Sequence, residues 1–377
     1  MNFSQIPGQQ DTIAKLIKTV KNNRVSHAQI FAGVEGGANL ALALAYAKYV
    51  NCEDKLDNDS CGKCKSCVKY EKMVHPDLHF VFPVVKGKKE KDPVSDDYIA
   101  EWREFAGNTP FFTLNSWLNN IEAGNSQGMI YTSEAAEIIK KLNLKTFESD
   151  YKIMIIWLPE KMNDASANKL LKMIEEPPAK TLFLLASNEP DKVIPTILSR
   201  CQMIKIPRFA DADIEFYLVE KFGVAKEKAA DLSHVANGDI IKAIELCDNE
   251  SSSLANLEKF KDLMRFAWKR DVLSLIDWSE EIASIGRELQ KEFVSYSLRI
   301  LRENIMLTLG QDKNDLVFLT SAEAGFSKNF HPFITDKNIY FLADEFSLAY
   351  AHIEANGNPK AVFLDLALKV TKVIRLF

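Results

Sequence analysis

Nowhere among the 377 residues do apolar side chains run together for the ~18 positions that a membrane span requires. The first ten residues, MNFSQIPGQQ, lack a basic stretch followed by an apolar one, so the sequence carries no sign of a secretory leader. Glycine and proline are scarce, at 15 and 13, which excludes collagen-like and low-complexity architectures. Neither sign of charge dominates: the formal net charge is −5. That balance excludes a surface that grips nucleic acid all round, while leaving room for a local basic face or for a partner that does the gripping. Apolar residues, by contrast, make up 47% of the chain, and its length is large for a single core. The expectation is a soluble, cytoplasmic, helix-rich protein of two or three domains with no membrane partner.

The stretch from Lys152 to Pro207 organises the rest. KIMIIWL (Lys152–Leu158) is a short apolar run of the kind found in strands buried on both faces of a parallel sheet. Asn163 or Asp164 can cap a helix in which Ala167, Leu170, Leu171 and Ile174 share one face. Pro177–Pro178 end that helix, because proline donates no backbone hydrogen bond. TLFLLA (Thr181–Ala186) reads as a second strand, Ile194–Leu198 as a short turn and QMIKI (Gln202–Ile206) as a third strand. This alternation predicts a doubly wound α/β domain. Upstream, Gln9–Asn22 predicts a helix, HAQIFAG (His27–Gly33) a strand and Ala38–Val50 a buried helix.

Strand, glycine-rich turn and buried helix form the setting of a phosphate-binding loop. Against the pattern GxxxxGK[ST], GVEGGANL (Gly33–Leu40) keeps Gly33 and Gly36. It carries Ala38, Asn39 and Leu40 at the last glycine, the lysine and the hydroxyl position. The lysine normally meets the β/γ phosphates and the hydroxyl holds Mg²⁺, so the loop reads as a decayed phosphate site. A turn that merely contains glycines is the plainer alternative.

Four of the six cysteines, Cys52, Cys61, Cys64 and Cys67, are spaced C-x8-C-x2-C-x2-C. Two close pairs can bring four thiolates around one tetrahedral Zn²⁺ with Zn–S distances near ~2.3 Å, and such a closed shell is structural. Gly62 and its small polar neighbours leave the backbone free to wrap an ion. Disulfides and a redox pair are the alternatives; the expected compartment and the three overlapping cysteines disfavour them. Cys201 and Cys247 read as reduced core or near-core residues. His75 and His79 would add ligands to a complete set and read as loop or edge histidines.

LLKMIEEPP (Leu170–Pro178) followed by SRC (Ser199–Cys201) resembles the clamp-loader branch of the AAA+ superfamily, bacterial DNA polymerase III clamp-loader subunits in particular. The resemblance implies an AAA+-like α/β domain, a parallel sheet flanked by helices, over residues 1–207. That domain would carry a zinc module (52–67) and an insertion (about 86–128). A three-helix lid (208–250) and an all-α collar (254–377) would follow. Where an ATPase of the family ends its third strand in Asp-Glu, this chain has Trp157–Leu158. The family's phosphate-sensing arginine aligns with Ile241. With the altered loop these make three losses, which imply that no ATP is held or hydrolysed. The family's cysteine quartet at this point agrees with structural zinc. Arg200, flanked by Ser199 and Cys201, takes the position of an arginine finger offered in trans to a neighbour's ATP. Without the resemblance it would read as a partner of some surface carboxylate. The implied partners are the delta subunit and gamma/tau ATPases of a hetero-pentamer, which loads a sliding clamp onto primed DNA. A divergent gamma/tau-like ATPase and a zinc-dependent nucleic-acid-binding module are the competing readings.

In the insertion, KGKKEK (Lys86–Lys91) reads as a solvated basic loop and Asp96–Phe105 as a helix. FFTLNSWL (Phe111–Leu118) reads as an aromatic patch folded onto the domain. Ser133–Lys145 predicts a helix with Ala136, Ile139 and Leu142 inward. Beyond Pro207, helices are expected at Asp211–Phe222, Ala225–Ala236 and Ile240–Cys247, then a linker at Asp248–Ser253 (DNESSS). Five more follow: Leu254–Ala267, Val272–Ile285, Arg287–Leu309, Asp336–Asn356 and Pro359–Leu376.

Overall fold

The computed structural model describes residues 1–86, 92–123, 127–248, 250–310 and 317–375. Most of the KGKKEK run, and residues 124–126 of the insertion, lie outside them. Five strands form one parallel sheet: β1 (Ala28–Ala32), β2 (Leu78–Val81), β3 (Lys152–Trp157), β4 (Thr181–Ser187) and β5 (Gln202–Lys205). Their order is β2-β3-β4-β1-β5. Every residue of β1, β3 and β4 is buried, as an interior strand of a sheet covered on both faces must be. β5 pairs only with β1 and is largely exposed, so its polar residues suit an edge.

Helices α1 (Gln10–Lys21), α2 (Asn39–Val50), α3 (Lys65–Glu71), α4 (Ile99–Asn108), α5 (Leu114–Asn120), α6 (Thr132–Asn143), α7 (Asp164–Glu175), α8 (Pro195–Leu198) and α9 (Asp211–Phe222) surround the sheet. On one face Ala28, Ile30, Met154, Ile156, Phe183 and Leu185 pack against α6 and α7. The alternate residues point to the other face, where Phe31 meets Tyr46 of α2 with ring centroids 6.2 Å apart. All twelve residues of α2 are buried. Asn163 caps α7, its side chain accepting from the Ser166 amide. The buried stripe of α6 is Ala135, Ile138 and Leu142, whereas Ala136 is exposed and Ile139 only half-buried. With Ile138 and Ile139 adjacent, periodicity allows two stripes one residue apart, and packing on α7 selects the other one. α9 begins without a side-chain cap at Ala210 and ends at Gly223, which takes the left-handed conformation at φ 65°.

The chain separates into two compact units: residues 1–223 with 238–242, and residues 224–237 with 243–377. Residues 208–250 are thus shared between the two. The second unit contains α10 (Lys226–Ala236), most of α11 (Ile240–Asp248), then α12 (Glu250–Lys269), α13 (Val272–Ser284), α14 (Arg287–Leu309), α15 (Ser321–Phe330), α16 (Ile339–Glu354) and α17 (Pro359–Val373). Its core is built around Phe260, Phe293, Phe346 and Phe363. Two sequence expectations fail here. The segment 248–253 is not a linker, because α12 already starts at Glu250. Its serines and glutamate suit a helix N-terminus as well as they suit a loop. α15 was not anticipated, although Thr320 and Glu323 spell its capping box. Among the described residues no helix is long and apolar enough to cross a membrane.

Buried polar groups fasten the insertion and the loop that leads to β3. Asp77 is buried, and its carboxylate accepts from the amides of Phe147, Glu148 and Ser149 at 2.7, 2.9 and 2.9 Å. Glu134 accepts from the amide and the hydroxyl of Ser95 at 2.6 and 3.0 Å. Burial pushes its carboxyl up to about 7, against an ordinary value of 4.5. The folded chain therefore keeps this proton to about pH 7, while the unfolded chain sheds it near pH 4.5, so stability falls as pH rises through that window. Glu134→Gln removes the titration. In urea unfolding at pH 5 and pH 8 we expect the variant to lose most of the pH dependence, with a gain of about 1–3 kcal/mol at pH 8. An unaltered pH profile would locate the dependence elsewhere.

Candidate functional site

Three stretches meet at the carboxyl ends of adjacent strands, where open α/β sheets bind their ligands: the loop after β1, the end of β3 and the end of β4. The loop has the fold of a phosphate cradle, and the chain's own side chains fill it. Asn39, at the lysine position, is buried, and its amide nitrogen lies 3.0 Å from Val34 O, from Ser187 O and from Asn188 Oδ1. It ties the loop to the end of β4. A Cβ on Gly33 would stand 2.1 Å from Asn39 Oδ1, so Gly33 is needed to admit that side chain rather than a phosphate. Gly36 has φ +74°, and a Cβ there would meet Asp239 Oδ1 at 1.8 Å. Asp239 accepts from the Lys242 amide at 3.0 Å, while the next amide, Ile240 N–H, donates to Gly36 O at 3.1 Å. A carboxylate thus lies against the loop where an anion would have to enter. Like charges ~4 Å apart repel by roughly 4 kcal/mol at an effective dielectric of ~20, so the lost lysine and the added aspartate act in the same direction.

The end of β3 is closed by aromatic packing. Trp157 lies 5.3 Å from Trp102 of α4 and 4.9 Å from Phe112, between ring centroids. Trp102 in turn stacks on Phe82 at 4.2 Å, and Trp117 of α5 donates its indole N–H to Pro83 O at 2.9 Å. The patch expected at Phe111–Leu118 therefore folds onto the domain and covers Trp157. Leu158, next along, is buried in the left-handed region at φ 56°, ψ 59°, a conformation costing a bulky residue about 1–2 kcal/mol. Glu160 holds the end of β4 from below, accepting from Ser187 Oγ at 2.8 Å and from the amides of Asn188 and Glu189 at 2.9 and 3.1 Å. Neither Trp157 nor Leu158 can hold Mg²⁺ or orient water. Ile241 directly follows the Ile240 amide that bonds the loop.

Cys52, Cys61, Cys64 and Cys67, on the loop after α2 and the first turn of α3, gather with their sulfur atoms all within 4.8 Å of one another. Cys61 and Cys67 are 3.9 Å apart at sulfur, close to the edge of a tetrahedron with ~2.3 Å Zn–S bonds. Three amides, of Cys61, Cys64 and Cys67, each donate to the sulfur of the preceding cysteine at 3.3 Å. Those bonds favour thiolate. Burial raises Cys52 and Cys67, and for Cys61 the amides of Cys64 and Lys63 outweigh burial and bring the thiol to about 6. Four thiolates this close ionise together only around a cation, so the donor set fits Zn²⁺ and the disulfide alternative is not adopted: all six cysteines are free. His75 is not a further ligand. Its ring packs on Tyr70 at 4.7 Å, Nδ1 accepts from the Asp77 amide and Nε2 meets Ser149 Oγ at 2.9 Å.

Arg200 follows α8. Its guanidinium pairs with Glu175, the first glutamate of the EEPP motif, and donates to Thr196 O at 2.7 Å. A third of the side chain stays exposed. Ser199 Oγ lies 3.3 Å from Arg200, and burial pushes the Cys201 thiol up to about 12. Sequence reading did not find Asp239 or Glu160; it offered Arg200 a surface carboxylate as one alternative, and Glu175 is that partner. Asp239 had a helix-cap signal in GDIIK, but its contact with Gly36 belongs to tertiary structure.

For the metal centre we expect one zinc per chain by elemental analysis. Cys64→Ser should empty the site and lower the melting temperature by about 5 °C or more. A metal-free wild-type protein, or unchanged metal in the variant, would remove zinc from the account.

A family model described as "DNA polymerase III, delta subunit" matches residues 8–210. The tau subunit of DNA polymerase III from Bacillus subtilis is 24% identical over 320 residues, 84% of this chain and 48% of its own length. The delta-prime subunit from the same organism is 27% identical over 242 residues, 64% of this chain and 60% of its own. Among solved structures, a DNA polymerase III gamma-subunit-related protein of Thermotoga maritima covers 97% of this chain and 100% of its own at 13% identity, with a TM-score of 0.40. The chain spans about half the length of these curated relatives. With residues 8–210 matched, more than half of the 377, the chain belongs to the DNA polymerase III delta subunit family.

Proposed function

We propose that this chain is the delta-prime type of clamp-loader subunit, cytoplasmic and without ATPase activity of its own. In this reading it joins a delta subunit and gamma/tau ATPases in a hetero-pentamer that loads a sliding clamp onto primed DNA. The observation that carries the reading is the phosphate loop filled from within by Asn39 and faced by the Asp239 carboxylate. Trp157 and Leu158 at the end of β3 support it. Zn²⁺ serves structure, on Cys52, Cys61, Cys64 and Cys67. Arg200, with Ser199 and Cys201 around it, acts as a finger in trans: the guanidinium leaves Glu175 for the γ-phosphate of a neighbour's ATP, which it can contact through two nitrogens. One observation favours a second reading, a gamma/tau-like ATPase, namely the longer match to the tau relative. Equilibrium binding of labelled ATP to the isolated chain decides between them, micromolar Mg²⁺-dependent affinity pointing to the ATPase.

In a complex reconstituted with Arg200→Ala, the site that depends on the finger should slow by about 10³-fold, and DNA-stimulated ATP hydrolysis and clamp loading should fall with it. Rates equal to wild type would overturn the assignment.

A further inference from the structure

The helical unit carries a feature unrelated to any of these motifs. An open groove of about 610 Å³ runs between α12, α15 and the turn His331–Phe333 that follows α15. One wall is aromatic. Phe326 and Phe330 stack at 4.7 Å, and Trp268 meets Phe333 edge-on at 4.8 Å. α12, which also supplies Trp268, bears Lys261, Arg265 and Lys269, spaced i, i+4, i+8 and therefore in one row along the groove. Against these three cations the lining offers a single carboxylate, Glu258. In a chain of net charge −5, this is a local reversal of sign beside an apolar surface.

We infer that the groove docks an acidic amphipathic helix from a partner protein, independently of the nucleotide reading above. Apolar side chains of that helix lie on the half-buried Phe326 and Phe333, with buried Phe330 beneath, and its carboxylates face the cation row, the usual way a helix occupies a groove. The volume is in the range of sites that seat side chains, and the charge of the rim selects acidic over basic helices. Two of the cations form ion pairs within their own helix, Lys261 to Glu258 at 2.8 Å and Arg265 to Asp262 at 2.9 Å. Such surface pairs are weak and exchange readily for an incoming carboxylate. Single-stranded nucleic acid also seeks rings and cations, but it stacks bases on open ring faces. Here Lys261 stands 5.7 Å over Phe326, which also stacks on Phe330 and meets Phe260 edge-on at 6.1 Å, and Arg375 stands 4.8 Å over Trp268.

The full chain is titrated, with fluorescence anisotropy, against a labelled helical peptide of about 16 residues carrying leucine on one face and glutamate beside it. A second peptide has lysine for each glutamate, and a thymidine oligonucleotide is the third probe. The acidic peptide should bind at least about tenfold more tightly than the basic one. Phe326→Ala should weaken it by about tenfold, with the helical circular dichroism unchanged. The triple variant Lys261→Glu, Arg265→Glu, Lys269→Glu should invert the preference, an outcome that unfolding cannot produce. Equal binding of both peptides, or an unchanged preference in the triple variant, would overturn the inference. So would an oligonucleotide that binds more tightly and displaces the peptide.

Discussion

An amide group has two hydrogens, and at Asn39 they are shared among Val34 O, Ser187 O and Asn188 Oδ1. Much of the α/β unit depends on that arrangement. It welds the loop after β1 to the end of β4, to which β1 is already paired along its whole length. It also places a neutral side chain where phosphate chemistry needs a cation. Glu160 then fixes Ser187 and Asn188 from the opposite side, so the acceptor that Asn39 uses is itself immobilised. The space between the loop and the end of β4 is taken up by a small network of the chain's own polar groups. Asp239 seals its mouth and Trp157 its flank.

Other groups in the unit are likewise held by carboxylates that sit far away in sequence. Glu175 restrains Arg200 across 25 positions, joining the two motifs on which the family resemblance rests. Asp77 gathers three consecutive amides some 70 positions downstream. Its own carboxyl is held low by those amides, which outweigh the effect of burial. In each case a negative charge substitutes for regular secondary structure in fixing a turn.

The sheet was legible from residue type because β1, β3 and β4 are buried on both faces and so read as uninterrupted apolar runs. The cysteine quartet was legible for a similar reason, since ligand spacing is local. Features that depend on contacts between distant segments were not. Adjacent Ile138 and Ile139 left the facing of α6 open, and only its packing on α7 decided it. DNESSS looked like a linker because serine and glutamate serve helix starts and loops alike. Gly325 interrupts the apolar pattern of α15, which hid that helix in spite of its capping box. Asp239 and Glu175 were visible as a cap and a helix end, but nothing local tells that one faces Gly36 and the other Arg200.

The aromatic cover over β3 has a consequence for how the protein absorbs and emits light. Three of its five tryptophans, Trp102, Trp117 and Trp157, belong to one cluster, with Trp102 5.3 Å from each of the other two. Indoles this close couple electronically, so their near-ultraviolet dichroism is a property of the group rather than of any one ring. Lifting the segment that carries Trp102 and Trp117 would end their coupling to Trp157, a change that involves neither Trp268 nor Trp278. The chain therefore contains a built-in optical gauge of whether that segment is seated.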